Sequence, residues 1–169
     1  LKTIRISATE MKLHFIEKLS AFGFSSEDAE KCADIFTQNS LDGVYSHGVN
    51  RFPRFIDFLK KGYVIPKNKP LLKNQLGVIE QWDGASGPGP LNAFFATNRA
   101  LDLANKYGIG CVALSNTNHW MRGGYYGWQA AKKGNIFIGW SNTAAIMPAW
   151  GAKNAKLGNN PLVIGIPYR

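Results

Sequence analysis

Cysteine is scarce in this 169-residue chain: Cys32 and Cys111 stand far apart and outside any metal-ligand spacing. That excludes a disulfide framework and a zinc knuckle, and predicts two reduced, buried thiols in a cytoplasmic protein. Histidine is also sparse. His14, His47 and His119 are too dispersed for a catalytic metal, so none is expected. No run of 18 apolar residues occurs, so no membrane helix is expected. The opening Leu1-Lys2-Thr3-Ile4-Arg5-Ile6-Ser7 lacks both an initiator Met and the apolar stretch of a secretion signal. Gly-x-Ser-x-Gly, Walker and His-Glu-x-x-His motifs are missing, which removes the common hydrolase, P-loop and metalloprotease classes.

Acidic residues number 11 against 20 Lys and Arg, a net charge of +9. Such a balance favours anionic partners. The cations are scattered, however, with Lys60-Lys61 and Lys132-Lys133 among the longest runs. No cationic helix stripe or nucleic-acid motif accompanies them, so a nucleic-acid partner is not expected. A carboxylate substrate and a phosphorylated cofactor account for part of the excess, solvated surface for the rest. With 45% hydrophobic and 18% charged residues, the chain can bury an ordinary core.

The first sixty residues read as three helices. Ser7-Ala8-Thr9-Glu10 is a capping box, Met11, Phe15, Leu19 and Phe22 share one face, and Gly23 supplies a left-handed stop. A second helix starts at Ser25, carries Ala29, Cys32, Ala33 and Phe36 at helical spacing, and ends near Asp42-Gly43. A third starts near Asn50 with Pro53 in its first turn and ends at Gly62. Pro66 and Pro70 then mark a linker from Tyr63 to Pro70. Beyond it, strands are expected at Val78–Trp82, Ile109–Leu114, Ile136–Ser141 and Leu162–Pro167, with helices at Pro90–Tyr107 and Gly124–Lys133. The expectation is an α/β (α+β) protein: a helical arm over 1–65 and a central α/β domain with a mixed sheet over 66–169. An apolar strand directly before Arg169 leaves its sheet half covered and suggests that this domain is incomplete.

Asp83-Gly84-Ala85-Ser86-Gly87-Pro88-Gly89-Pro90 sits where a phosphate loop belongs, between strand and helix. Asn92 replaces the third glycine, and two prolines remove N–H donors. A tight turn fits better than a Rossmann fingerprint. His47 lies in Tyr45-Ser46-His47-Gly48, with Arg51 four residues on. A histidine can give a proton to a carbonyl oxygen as hydride reaches carbon, and a guanidinium can hold a substrate carboxylate at two points. A helix-capping role is the plainer alternative. His119 follows a strand in Ser115-Asn116-Thr117-Asn118-His119-Trp120-Met121-Arg122-Gly123-Gly124, a polar loop of the kind that lines ligand sites or merely turns the chain. Trp140-Ser141-Asn142-Thr143 and Leu157-Gly158-Asn159-Asn160-Pro161 are further polar loops beside strands.

Four ordered stretches resemble one family: Val44 to Phe55; Asn118 to Gly124 with Tyr126 to Ala131; Met147-Pro148-x-Trp150-Gly151-Ala152-Lys153; and Gly158-x-Asn160-Pro161-Leu162. They resemble the malate/L-lactate dehydrogenases that lack a Rossmann fold. Trp120-Met121-Arg122 and Glu80-Gln81-Trp82 are similar to one branch acting on a keto sugar acid. The resemblance implies a nicotinamide-binding fold that is not the classical Rossmann fold, NADH or NADPH as cofactor, and a cytoplasmic homodimer. It implies that His47 is the acid/base, assisted by Ser46 and by a downstream aspartate outside these residues. Arg51, His119 and Arg122 would bind substrate, and Thr143, Asn160 and Pro161 the cofactor. His47 and His119 both stay open as proton donor. An inactive fragment that binds only ligand or a partner subunit is the alternative. The wording Asn159-Asn160-Pro161 departs from the family's usual Gly-Thr-Asn-Pro.

Overall fold

The computed structural model describes residues 5–168. The readings placed on Leu1 to Ile4 and on the stop at Arg169 lie outside the described residues. Two compact units form, Leu1–Arg122 and Gly123–Arg169. We propose a further division at residues 65/66, between a helical arm and a central α/β domain.

In the first unit, α1 (Ala8–Ala21) starts where the Ser7 hydroxyl accepts the Glu10 N–H and stops at Gly23, whose φ is +85°. Helix α2 (Ser26–Leu41) is capped likewise by Ser25, accepting from Asp28. Helix α3 (Phe52–Lys60) has its proline in the first turn, where a missing N–H costs nothing. The apolar stripes of all three meet: Phe15 stacks on Phe52 at 4.1 Å, and Phe36 meets Phe52 edge-on at 5.1 Å. Each such ring contributes about 1.5–3 kcal/mol by burial. The stretch from Tyr63 to Pro70 is strapped down rather than loose. Val64 is buried, Ile65 N–H donates to the Ser86 carbonyl, and the Asn68 amide to the Ala85 carbonyl.

Strands β1 (Leu71–Leu76), β2 (Ile79–Asp83) and β3 (Cys111–Ser115) form a mixed sheet, β1 antiparallel and β3 parallel to β2. Helix α4 (Gly89–Tyr107) makes the crossover and ends at Gly108, φ +86°. Strand β1 was not expected. Its sequence Leu-Leu-Lys-Asn-Gln-Leu has no alternation, and all six residues are exposed at the edge. The buried carboxylate of Glu80 on β2 takes two N–H bonds from Arg99 of α4, at 2.6 and 2.8 Å, and one from the Trp82 indole at 2.9 Å. Arg99 holds this carboxyl below its ordinary range.

In the second unit, α5 (Gly123–Ala131) packs on the antiparallel pair β4 (Phe137–Trp140) and β7 (Leu162–Gly165). Gly127 and Gly165 permit this approach: a Cβ on Gly165 would stand 2.9 Å from the Gly127 carbonyl. The opposite face, with Ile138, Trp140, Leu162 and Ile164, is exposed. A second small hairpin, β5 (Met147–Pro148) with β6 (Ala155–Leu157), was also unexpected. One expectation fails for the cysteines. Both are free and Cys32 is buried, but Cys111 is exposed because it falls on the outward side of β3.

Candidate functional site

The site in the first unit is built from the end of α2. Asn39 and Ser40 are buried there. The Ser40 hydroxyl donates to the Phe36 carbonyl and accepts the Val49 N–H, both at 2.9 Å. The Asn39 amide donates to the His47 carbonyl at 3.0 Å. These bonds clamp a single 3-10 turn, Tyr45–His47, onto the helix. Gly48 permits the approach, since a Cβ there would lie 2.3 Å from the Ser40 hydroxyl. The clamped turn brings Ser46 Oγ within 2.9 Å of His47 Nδ1, and Arg51 Nε donates to the Ser46 carbonyl at 3.2 Å. Ser46, His47 and Arg51 thus form one cluster.

His119 joins them. Asn118 pins its loop, donating to the carbonyls of Tyr63, Ser86 and Gly87 at 2.9, 3.1 and 3.2 Å. Gly89 makes room, because a Cβ there would meet the Asn118 and His119 carbonyls at 2.3 Å. The His119 and His47 rings end 5.6 Å apart, inclined at 43°. Met121 N–H donates to His119 Nδ1 at 2.9 Å. Arg122 is placed differently from a carboxylate clamp: it is ion-paired with Asp42, whose other oxygen accepts from the Gln38 amide at 2.8 Å. His14 is exposed beside Glu17 and takes no part.

The field at this cluster is positive. Burial first, and then Arg51, lowers the His47 pKa. His119 is pushed down to about 4 by burial, then by Arg51, His47 and Arg54. His119 is exposed overall, so solvent screens the part due to the clustered cations. Arg51 is itself lowered, by burial and by Arg54. Arg54, Asn118, Met121 and Asp42 were not among the expected residues. Arg54 had a signal: it follows Arg51 by three residues and so shares its helix face.

Thr143 and Asn160 come together in the second unit. Thr143 N–H donates to Asn160 Oδ1 at 2.9 Å, and its hydroxyl lies 3.0 Å from Asn159 Oδ1. Asn160 adopts φ +39°, and Pro161 leads from it into β7. This hydroxyl and these carboxamides suit a carboxamide or ribose hydroxyl of a nicotinamide cofactor. The glycines at 84, 87 and 89 have another purpose. A Cβ on each would strike atoms of Asn92, Asn68 or Asn118 at 2.7 Å or less, so packing requires them. The tight-turn reading of that loop is the one the structure supports. Among the described residues no group of three His, Cys, Asp or Glu side chains could hold a metal, and no helix is long and apolar enough to cross a membrane.

Comparison with known proteins adds ancestry to this geometry. The chain is 51% identical over 164 residues to 2,3-diketo-L-gulonate reductase of Klebsiella pneumoniae (strain 342), and 50% identical to that of Escherichia coli (strain K12 / DH10B). Each match covers 97% of this chain and 49% of the relative, so the chain spans about half the length of the curated relatives it matches. Among solved structures, malate dehydrogenase of Pyrococcus horikoshii OT3 superposes with a TM-score of 0.93 at 30% identity, covering 97% of this chain and 47% of that one. Sulfolactate dehydrogenase of Methanocaldococcus jannaschii gives 0.91 at 34%, covering 96% and 47%. The family model for malate/L-lactate dehydrogenase matches residues 6–169, and the chain belongs to that family.

Proposed function

We propose that the protein is an oxidoreductase that reduces a 2-keto sugar acid of the 2,3-diketo-L-gulonate type. The observation that carries this reading is the convergence of Ser46, His47, Arg51 and His119 in one positive cluster. Half-identity to the diketogulonate reductases supports the sugar-acid substrate. NADH or NADPH supplies a hydride when bound; Thr143, Asn160 and Pro161 would hold its nicotinamide end. A substrate carboxylate docks on Arg51, with Arg54 adding positive charge nearby; the expected part of Arg122 in substrate binding would require it to leave Asp42. Burial and then Arg51 lower the His47 pKa; docking of the carboxylate offsets the Arg51 part and so favours the protonated ring. His47 then protonates the keto oxygen, and the Ser46 hydroxyl, bonded to Nδ1, orients the ring. The resemblance supports a cytoplasmic homodimer.

A panel of 2-keto acids, 2,3-diketo-L-gulonate included, assayed for NADH and NADPH oxidation tests this reading. Turnover fastest with the sugar acid is expected; no oxidation with any member refutes it. The second reading is an inactive chain that binds only ligand or a partner subunit. It requires keto-acid binding by calorimetry without turnover.

A further inference from the structure

The two histidines of the cluster differ in the partner of Nδ1. His47 faces the Ser46 hydroxyl at 2.9 Å, a group that donates or accepts by rotating about its C–O bond. His47 can therefore take up and release a proton without losing its partner. His119 faces the Met121 backbone N–H at 2.9 Å, which can only donate. Its Nδ1 must stay unprotonated to keep that bond, so the ring proton sits on Nε2. A second proton would have to enter at Nδ1 and break it.

The bond is also dearly held. Met121 adopts φ +69°, a conformation that costs a residue with a Cβ about 1–2 kcal/mol. Its side chain is 4% exposed and packs into the helical core, which fixes the turn against that strain. Asn118, three residues before Met121, is pinned by three carbonyls. The His119 ring is thus held from both sides of its own backbone.

Resting on the function proposed above, we infer that Met121 is a positioning residue that locks His119 in the Nε2–H form, so that His119 is a permanent hydrogen-bond donor to a substrate oxygen while His47 alone transfers the proton. Two neighbouring histidines so divided avoid competing for one proton. The groups facing His119 are His47, Arg51 and Arg54, all basic, and they oppose an imidazolium there too.

Long-range proton–nitrogen NMR on the chain with 15N-labelled histidine tests the lock. His119 should give the Nε2–H tautomer alone from pH 5 to 8, with or without oxamate, an unreactive 2-keto acid analogue. An Nδ1–H tautomer, a tautomer mixture, or an imidazolium on adding oxamate overturns the inference. Kinetics supply a second arm. His119→Gln keeps an N–H donor and should stay within about tenfold of the parent kcat/KM, whereas His119→Phe should lose roughly 10- to 100-fold. Equal losses in both overturn the donor role. If the parent chain reduces no keto acid at all, the proposed function fails, and the NMR arm still judges the lock.

Discussion

Gly48→Ala is the substitution that most sharply tests how His47 is held. The new Cβ would sit 2.3 Å from the Ser40 hydroxyl oxygen, 2.8 Å from the Ser40 backbone nitrogen and 3.0 Å from the Phe36 carbonyl oxygen. The hydroxyl can swing aside, but it then abandons the Val49 N–H and the Phe36 carbonyl. The nitrogen and carbonyl belong to α2 and move only with the helix. Overpacking of this kind costs about 1–3 kcal/mol, and each hydrogen bond given up adds about 1 kcal/mol. A loss of roughly 3 kcal/mol is expected, which for a chain of this length lowers Tm by about 6–12 °C. Urea and thermal unfolding measure it. The double variant Ser40→Ala/Gly48→Ala relieves the hydroxyl contact alone and should recover less than half of the loss. Parent-like stability in Gly48→Ala would refute the clamp, and full rescue by Ser40→Ala would refute the part assigned to the α2 backbone.

Two further outcomes follow from the charges. His119 is lowered in the folded chain, so below about pH 6.5 the unfolded chain binds a proton that the folded chain refuses. Its contribution is present above that pH and is lost as pH falls towards about 4; because the residue is exposed, the amplitude is about 1 kcal/mol. The stability difference between parent and His119→Gln should therefore shift in the parent's favour from pH 4 to pH 7, and a pH-independent difference contradicts this. Arg99→Met strips Glu80 of two N–H donors while its carboxylate stays buried. Arg99 is partly exposed, so the cost is about 2 kcal/mol in urea unfolding, and Glu80→Leu/Arg99→Met should restore most of it.

The helices were legible because their signals are local. Ser7, Ser25, Gly23 and Gly108 start or stop them, and the Phe15, Phe36 and Leu19 stripes run at helical spacing. Strands β1, β5 and β6 were not, since exposed edge strands carry no alternation to read. Ser46, His47 and Arg51 were legible as a motif, and the structure joins them by direct bonds. Pairing of His119 with His47 depends on Asn118 and Gly89 bringing a distant loop to the turn, which no local pattern records. Arg122 was expected to bind substrate; Asp42, with which it is ion-paired, comes from a distant helix end that its local sequence does not record.

Turnover after removal of the imidazole at position 47 tests the central claim most directly. With NADH or NADPH and 2,3-diketo-L-gulonate at pH 7, His47→Ala should lose about 10²- to 10⁴-fold in kcat while cofactor binding, followed by nicotinamide fluorescence, stays as in the parent. A kcat equal to the parent's would contradict the assignment of His47 as the proton donor.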